Sequence, residues 1–167
     1  MNSIIRPAVK YDEPFLWEML YYAAHMDEDG GASFEDAQKN PDLTKYVKDW
    51  GREMDVGCVA LEAESNQPIG AAWIRLLIGN EKTMSYIDDF TPELAIAVLP
   101  DYIGRGVGTQ LLIHVLEAAK KRYSSVALSV RTTNPAKRIY ERLGFVVVGK
   151  TTNRVGTESF NMLIQLQ

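Results

Sequence analysis

The chain has 167 residues, of which 46% are hydrophobic and 24% charged, and this size and balance predict one compact domain spanning residues 1–167. The net charge of −4, with scattered basic residues, argues against a nucleic-acid partner, since such proteins concentrate positive charge on one face. No apolar run is long enough for a membrane span or an export signal, so we expect a cytoplasmic protein without a membrane partner.

The first third of the chain predicts a strand followed by two helices. Ile4 to Val9 has the composition of a strand, and apolar residues at helical spacing after Asp12 predict a helix that this aspartate caps. Residues 43–50 again place apolar side chains at helical spacing, and Gly51 is expected to end that helix. The stretch Asp27 to Ser33 is rich in glycine and polar residues and predicts a loop.

The middle of the chain predicts a β-hairpin and a long irregular connection. Gly57 to Glu64 and Ile69 to Leu77 have the composition of strands, and the Ser65 to Pro68 turn between them favours antiparallel pairing. Gly79 to Pro92 follows neither period, and an irregular stretch of this length often carries function. The single cysteine, Cys58, lies in a strand pattern and is expected to be a buried thiol.

A short apolar strand then leads into a loop with three alternate glycines, in the sequence AIAVLPDYIGRGVG at residues 95–108. Leu94 to Leu99 is almost entirely apolar, which predicts a buried central strand that ends at Pro100. The glycines permit left-handed backbone conformations and a close approach of the backbone to a ligand. The amides of this loop are therefore able to converge on one point.

A helix is predicted to begin at Val107, within the glycine loop. Its apolar stripe comprises Val107, Leu111, Leu112, Val115, Ala118 and Ala119. Unpaired N–H groups in its first turn, together with the helix dipole, favour a phosphate or pyrophosphate there. A dinucleotide fingerprint would need GxGxxG and an acidic residue about 20 positions later, and the sequence offers neither. A tight turn that binds no ligand is the alternative.

A second motif follows at Arg131 to Phe145, with the sequence RTTNPAKRIYERLGF. Asn134 suits the cap of a helix, and Pro135 suits its first position, where a missing N–H is tolerated. Tyr140 falls on the buried face of that helix, which Gly144 is expected to end.

Further strands are predicted at residues 126–130, 145–148 and 158–166. Strands therefore outnumber helices and alternate with them only in the second half of the chain. This order predicts an α/β (α+β) fold with a mixed sheet and helices on both of its faces.

Together the two motifs resemble those of the acyl-CoA-dependent N-acyltransferases of the GNAT superfamily. The family's strand before the glycine loop is matched by Glu93 to Pro100, and its later N-P-A and Y-E-x-x-G-F pattern by Asn134 to Phe145. The resemblance covers nearly the whole chain. It implies a mixed, mostly antiparallel sheet of about six to seven strands, splayed at a central parallel pair and flanked by helices on both faces.

The resemblance has one departure. The family usually has Gln or Arg at the start of the loop's R/Q-x-x-G-x-G/A pattern, and this chain has Ile103 there. Because the family's phosphate cradle consists mainly of backbone amides, weaker contacts are expected rather than lost binding.

The resemblance further implies that acetyl-CoA is the cosubstrate, with no metal. In the family the loop binds the pyrophosphate, and a backbone N–H near Val98 binds the thioester oxygen. The implied coenzyme-binding residues are Ala97, Val98, Ile103, Gly104, Arg105, Gly106, Val107, Gly108, Thr109, Asn134, Ala136 and Tyr140. Asn134 suits the pantetheine arm and its helix cap equally well, and the basic residues Arg105, Lys137 and Arg138 are candidate phosphate partners.

Acetyl transfer from a thioester to an amine needs a proton for the leaving thiolate and a group that removes the proton of the amine. Tyr140 matches the family's general acid, since a phenol with a reference pKa of about 10 is protonated at neutral pH. Glu93 matches the family's base, and a core tyrosine and a solvated carboxylate are the respective structural alternatives.

Other residues compete with Glu93 for the role of base. They are Asp88, Asp89, Glu28 and His25, although a lone histidine at a helix end is usually only exposed. His114 lies on the polar face of its helix and is not expected to be catalytic.

The acceptor is expected to be a small-molecule or peptide amine. The resemblance places it against residues 21–50 and 79–92, which offer the carboxylates Asp27, Glu28, Asp29, Asp88 and Asp89 beside the aromatic side chains of Tyr21, Tyr22, Trp50 and Tyr86. Carboxylates with aromatic rings suit a cationic amine, and a solvated acidic surface is the alternative. The protein is expected to be a monomer or a homodimer.

The sequence therefore predicts an acetyl-CoA-dependent N-acetyltransferase that acts by direct transfer. The first alternative is an acyl-CoA-binding regulatory module without turnover, which Ile103 keeps open. The second is a structural or interaction protein that leaves the glycine loop unused.

Overall fold

A seven-stranded sheet is the framework of the molecule. The computed structural model describes residues 3–28 and 33–166. The strands are β1 (Ser3–Pro7), β2 (Val56–Glu62), β3 (Pro68–Arg75), β4 (Glu93–Val98), β5 (Ser125–Arg131), β6 (Val146–Thr152) and β7 (Glu158–Gln165). They lie in the order β1-β2-β3-β4-β5-β7-β6, and among these described strands only β4 and β5 are parallel neighbours. The predicted mixed, mostly antiparallel sheet and the hairpin of β2 and β3 are confirmed.

The parallel pair is splayed, as predicted. β4 and β5 share one register position, Glu93 opposite Ala127, whereas β4 stays paired with β3 up to Val98 and β5 stays paired with β7 up to Arg131. The two central strands therefore diverge toward their carboxyl ends, and a slot opens between them there.

Helices cover both faces of the sheet, as predicted. The described helices are α1 (Glu13–Ala23), α2 (Phe34–Lys39), α3 (Pro41–Thr44), α4 (Val107–Ala119) and α5 (Lys137–Leu143). The first three pack with Trp73 and Ala97 on one face, and α4 and α5 pack with Leu94 and Leu128 on the other. Within the two described ranges, no helix has the length and apolar composition needed to cross a membrane.

The apolar stripe of α4 is largely as predicted, since its members are buried with one exception. Ala118 is exposed and Leu116 takes its place in the core. Cys58 is buried as predicted, and burial raises the pKa of its thiol to about 12.

The predicted helix over residues 43–50 is wrong, because α3 ends at Thr44 and a series of turns follows. The cause is Arg75 on β3, whose Nη1 donates hydrogen bonds to the carbonyls of Lys45 at 3.1 Å and Lys48 at 2.6 Å. A longer helix would need these carbonyls for its own i to i+4 bonds. The guanidinium is buried beside Asp55 at 2.8 Å, so the pair is fixed in the core.

The capping pattern also differs from the predictions. Asp12 does precede α1, yet its carboxylate accepts hydrogen bonds from Arg6 and from the Val9 N–H instead of capping the helix. α2 was not predicted, although Ser33 and Asp36 form a reciprocal capping box whose S-x-x-D spacing was readable from the sequence. The predicted loop from Asp27 to Ser33 lies partly outside the described residues, which resume at Ser33.

Candidate active site

The glycine loop adopts the backbone that its sequence predicts. Gly104 and Gly106 have φ values of +82° and +83°, in the left-handed region. A Cβ at either position would meet no protein atom within 4 Å, so the conformation, and not the packing, calls for glycine. The backbone of this loop is consequently open to a ligand.

The loop leads into an uncapped helix terminus. Gly106 is the N-cap of α4 and offers no side chain to the first turn, which contains no acidic residue. N–H groups in a first turn have no partner within the helix, and the helix dipole adds positive potential there. Gly106 to Thr109 thus presents donors that fit a pyrophosphate.

The side chains around the loop contribute less to such a site. Ile103 is 66% exposed. The guanidinium of Arg105 lies 5.5 Å from the ring of Tyr102, whose hydroxyl donates to Glu62. Lys137 lies 3.4 Å from Glu141, so these two predicted phosphate partners already make contacts within the protein.

The backbone of β4 directs a donor into the slot. The N–H of Leu99 bonds to the carbonyl of Ile69, the second residue of β3, at 2.8 Å. Successive N–H groups of an extended strand point to opposite sides, so the N–H of Val98 points away from β3 and toward β5. Since β4 and β5 have separated at this level, that N–H faces the slot. The N–H of Ala97, which is paired with Ala71, points toward β3 instead.

Tyr140 lies on α5 with its ring buried and packed edge-on against Phe145, with ring centroids 5.9 Å apart. Burial raises the pKa of Tyr140 to about 12, so the phenol stays protonated at neutral pH. No described side chain or backbone group hydrogen-bonds its hydroxyl, and no described side-chain oxygen is both fully buried and without a partner. The hydroxyl is therefore not fully enclosed, although Tyr140 as a whole is 7% exposed.

Asn134 makes the capping contact that the sequence predicts, and its amide nitrogen faces the end of α1. Its Oδ1 accepts a hydrogen bond from the Ala136 N–H at 2.9 Å, which is the capping contact, although α5 itself begins at Lys137. Its Nδ2 lies 3.5 Å from Nε2 of His25, at the end of α1. His25 in turn places Nδ1 2.5 Å from Oε2 of Glu28. The tertiary fold thus brings two of the competing bases next to a predicted coenzyme ligand.

Glu93 lies at the opposite, closed end of the slot and is only 4% exposed. Tyr46 donates to its Oε1 at 3.2 Å, and Thr83 donates to its Oε2 at 2.5 Å. Burial raises the pKa of Glu93 above its ordinary value, which is the direction a base needs. Sequence reasoning missed Tyr46 and Thr83, which carry no local signal for this contact.

Ser85 ties the irregular connection before β4, residues 79–92, to the sheet. The Thr83 hydroxyl also accepts a hydrogen bond from the N–H of Ser85, and the Ser85 hydroxyl donates to Oδ1 of Asn161 on β7 at 2.9 Å. This connection is therefore attached to both halves of the splayed sheet.

Several of the residues predicted to bind the acceptor are buried or already bonded within the protein. Trp50 is buried beneath Arg75 at 5.5 Å and does not line a surface site. Asp88 accepts from the Phe90 N–H, which lowers the pKa of its carboxyl, the wrong direction for a base. The hydroxyl of Tyr86 bonds to Asp89. The predicted residue Asp29 lies outside the described residues.

An aromatic and acidic depression of about 400 Å³ lies between α1 and the start of α2. Its lining residues are Pro14, Glu18, Tyr21, Tyr22 and Phe34. The rings of Tyr21 and Tyr22 pack edge-on with centroids 5.1 Å apart. On the far side of the sheet, His114 bonds to the Gln110 carbonyl within α4, away from these groups.

The chain matches the model of one protein family. The model of an acetyltransferase (GNAT) domain matches residues 54–147, more than half of the chain. The chain belongs to the GNAT family. The matched range contains the glycine loop, Glu93 and Tyr140, so the expected family relationship is confirmed. No protein with a curated description matches the chain.

Solved GNAT structures share the fold over nearly the full length. The yncA protein of Salmonella typhimurium, solved with its cofactor acetyl-CoA, is 19% identical with a TM-score of 0.67 and covers 100% of this chain and 95% of its own. AAC(6′)-Ib in complex with ribostamycin and coenzyme A is 21% identical with a TM-score of 0.65, covering 99% and 94%. A chimera of the Vibrio cholerae spermidine N-acetyltransferase SpeG and hSSAT is 20% identical with a TM-score of 0.67, covering 99% and 96%.

Proposed function

We propose that this GNAT protein transfers an acetyl group from acetyl-CoA to a primary amine by direct transfer. The observation that carries this proposal is the open, left-handed loop at Gly104 and Gly106, which leads into an uncapped helix terminus beside the splayed strands. Similar structures solved with acetyl-CoA or coenzyme A support the same ligand here.

The chain's own residues fit the coenzyme in two places. Backbone amides of the loop from Ile103 to Thr109 would hold the pyrophosphate, and Asn134 and Ala136 would contact the pantetheine arm. Acetyl-CoA, when bound, supplies an activated thioester. The N–H of Val98 donates a hydrogen bond to the thioester oxygen, and a donor fixed by a strand needs no reorganisation during the reaction.

Tyr140 supplies the proton of the leaving sulfur. Its raised pKa keeps the phenol protonated throughout the neutral range, so its hydroxyl is a donor. Glu93, the base that the sequence predicts, is held by Tyr46 and Thr83 and is almost fully buried. A bulky acceptor does not reach it directly.

The acceptor class that the surface favours is a cationic small-molecule amine. Glu18 beside Tyr21, Tyr22 and Phe34 supplies negative charge and aromatic faces, both of which attract an ammonium group. Similarity to proteins described with spermidine or ribostamycin supports this class.

A two-step experiment tests the proposal. Acetyl-CoA should raise the Tm of the protein, since a ligand that binds only the native state stabilises it. Spermidine and ribostamycin are then tested as acceptors by release of free coenzyme A. Binding without amine-dependent release would favour the regulatory module, and absence of a Tm shift would exclude both coenzyme-dependent functions.

A further inference from the structure

We propose that Nε2 of His25 removes the proton from the acceptor amine, and that Glu28 positions the imidazole. This role rests on the acetyl transfer proposed above. It is carried by a Glu–His pair at the end of α1 that points at Asn134 across the open end of the slot.

His25 occupies a backbone position that normally belongs to glycine. The N–H of His25 bonds to the Tyr22 carbonyl and the N–H of Met26 to the Tyr21 carbonyl, both at 3.0 Å, which is the Schellman pattern of a helix end. The φ of His25 is +59°. A side chain here is strained relative to glycine, and such strain concentrates at functional sites.

The contacts of the ring define which nitrogen is the base. Nδ1 lies 2.5 Å from Oε2 of Glu28, and an ionised carboxylate only accepts, so Nδ1 carries the hydrogen. In the neutral ring Nε2 then bears the lone pair, which matches the donor that faces it, the amide nitrogen of Asn134 at 3.5 Å. With 26% of its side chain exposed, His25 is accessible to an acceptor.

Two arginines hold this helix end over the slot. Arg131, the last residue of β5, donates to the Ala24 carbonyl at 3.2 Å, and Arg154, between β6 and β7, donates to the same oxygen at 2.6 Å. Basic groups at a helix C-terminus are favourable because of the helix dipole. They fix the residue before His25 at the carboxyl end of β5, where the central strands have separated.

Glu93 is poorly placed for the same task. It precedes Val98 by five positions on β4, and a strand rises about 3.4 Å per residue, so their Cα atoms are about 17 Å apart. A base must reach its proton within hydrogen-bond distance or through one water. Glu93 lies at the closed end of the slot, where Tyr46 and Thr83 bond to it, whereas His25 lies beside Asn134 at the end where the central strands have separated.

The amine nitrogen forms a bond to the thioester carbon while the carbon–sulfur bond breaks. The electron pair of the broken bond stays on sulfur. The excess proton on nitrogen passes to Nε2 of His25, and the sulfur receives a proton from Tyr140. The products are an N-acetyl amine and free coenzyme A, and solvent returns the proton of His25 to Tyr140.

The test compares His25→Gly and Glu28→Gln with wild type and with Asn66→Gly. Asn66 has a φ of +60° in the turn between β2 and β3, so its change to glycine relieves similar strain away from the site. Both glycine variants should melt roughly 2–4 °C higher than wild type. Only His25→Gly and Glu28→Gln should lose amine-dependent release of coenzyme A, by roughly 100-fold in kcat, with the Kd of acetyl-CoA within about threefold.

Nuclear magnetic resonance of the imidazole gives a readout that is independent of the acceptor. In the wild type the ring nitrogens should show a proton on Nδ1 and none on Nε2, and Glu28→Gln should abolish that preference. Turnover of His25→Gly close to wild type, or a proton on Nε2 of the wild-type imidazole, would overturn the role. A wild-type protein that releases no coenzyme A with spermidine or ribostamycin would instead overturn the acetyl transfer itself.

Discussion

The hydroxyl of Tyr46 donates a hydrogen bond to Oε1 of Glu93 at 3.2 Å and so joins the segment before β2 to the first residue of β4. Thr83 donates to the other oxygen of the same carboxylate. Burial raises the pKa of Glu93, so the folded protein keeps this proton at pH values where the unfolded chain has lost it. Stability associated with Glu93 is therefore present at low pH and is lost as the pH rises through the raised pKa.

Glu93→Gln should remove this loss. Between about pH 4 and pH 8, the Tm of the variant minus that of the wild type should increase as the pH rises. Glu81→Gln is the control of opposite sign, because two hydrogen bonds from Arg52 lower the pKa of Glu81, and its stabilisation is lost only as the pH falls below about 4.5. Parallel pH dependence in the two variants would contradict the interpretation.

Gly106→Ala should weaken coenzyme binding beyond its effect on stability. The φ of Gly106 is +83°, and Gly156, in the turn between β6 and β7, has a φ of +85° with equally open surroundings. Each alanine should cost about 1–2 kcal/mol of the free energy of unfolding. Only Gly106→Ala should raise the Kd of acetyl-CoA, measured by calorimetry, and equal affinities in both variants would exclude the loop from the coenzyme site.

Tyr140→Phe should reduce kcat by about 100-fold while leaving the Tm and the Kd of acetyl-CoA close to wild type. The ring contact with Phe145 is kept, and no described group loses a hydrogen bond. Tyr123→Phe is the matched control, since burial also raises the pKa of Tyr123 to about 12 but its hydroxyl donates to the Met54 carbonyl at 2.8 Å. That variant should lose about 1 kcal/mol of stability and no activity. The reverse pattern would make Tyr140 a packing residue.

Ile103→Gln should strengthen coenzyme binding, because it restores a side-chain donor that the family usually has at this position. Ile103 is 66% exposed, so the change sacrifices little packing. One added hydrogen bond to a charged phosphate should lower the Kd of acetyl-CoA by about tenfold. Ile113, on α4, is 47% exposed, and the control Ile113→Gln should leave the Kd unchanged. A higher Kd in Ile103→Gln would show that the isoleucine itself contacts the coenzyme.

Several features could be predicted because their causes are local. The glycine pattern predicted the loop at Gly104 and Gly106, since a positive φ is a property of single residues. The spacing of apolar residues predicted α4, because a helix repeats its face within a few positions. The order of strands and helices, together with the two family motifs, predicted the mixed sheet with its splayed parallel pair.

Other features depend on residues that are distant in the sequence. The helix expected over residues 43–50 ends early because Arg75 takes its carbonyls, and nothing within the segment announces this contact. Glu93 was visible as a carboxylate, but the burial that raises its pKa and its hydrogen bonds to residues 47 and 10 positions away come from the fold. His25 was visible as a lone histidine, and only the fold placed its ring against Asn134, 109 positions later.

The sequence by itself determined the left-handed glycine loop, the buried face of α4 and the chemical groups that the molecule carries, because propensity, periodicity and side-chain type are properties of short segments. The tertiary structure decided which of those groups are buried, charged, paired or able to reach a substrate. Desolvation and hydrogen bonding depend on atoms that only folding brings together, so the roles of Glu93 and His25 follow from the packing of helices on the splayed sheet.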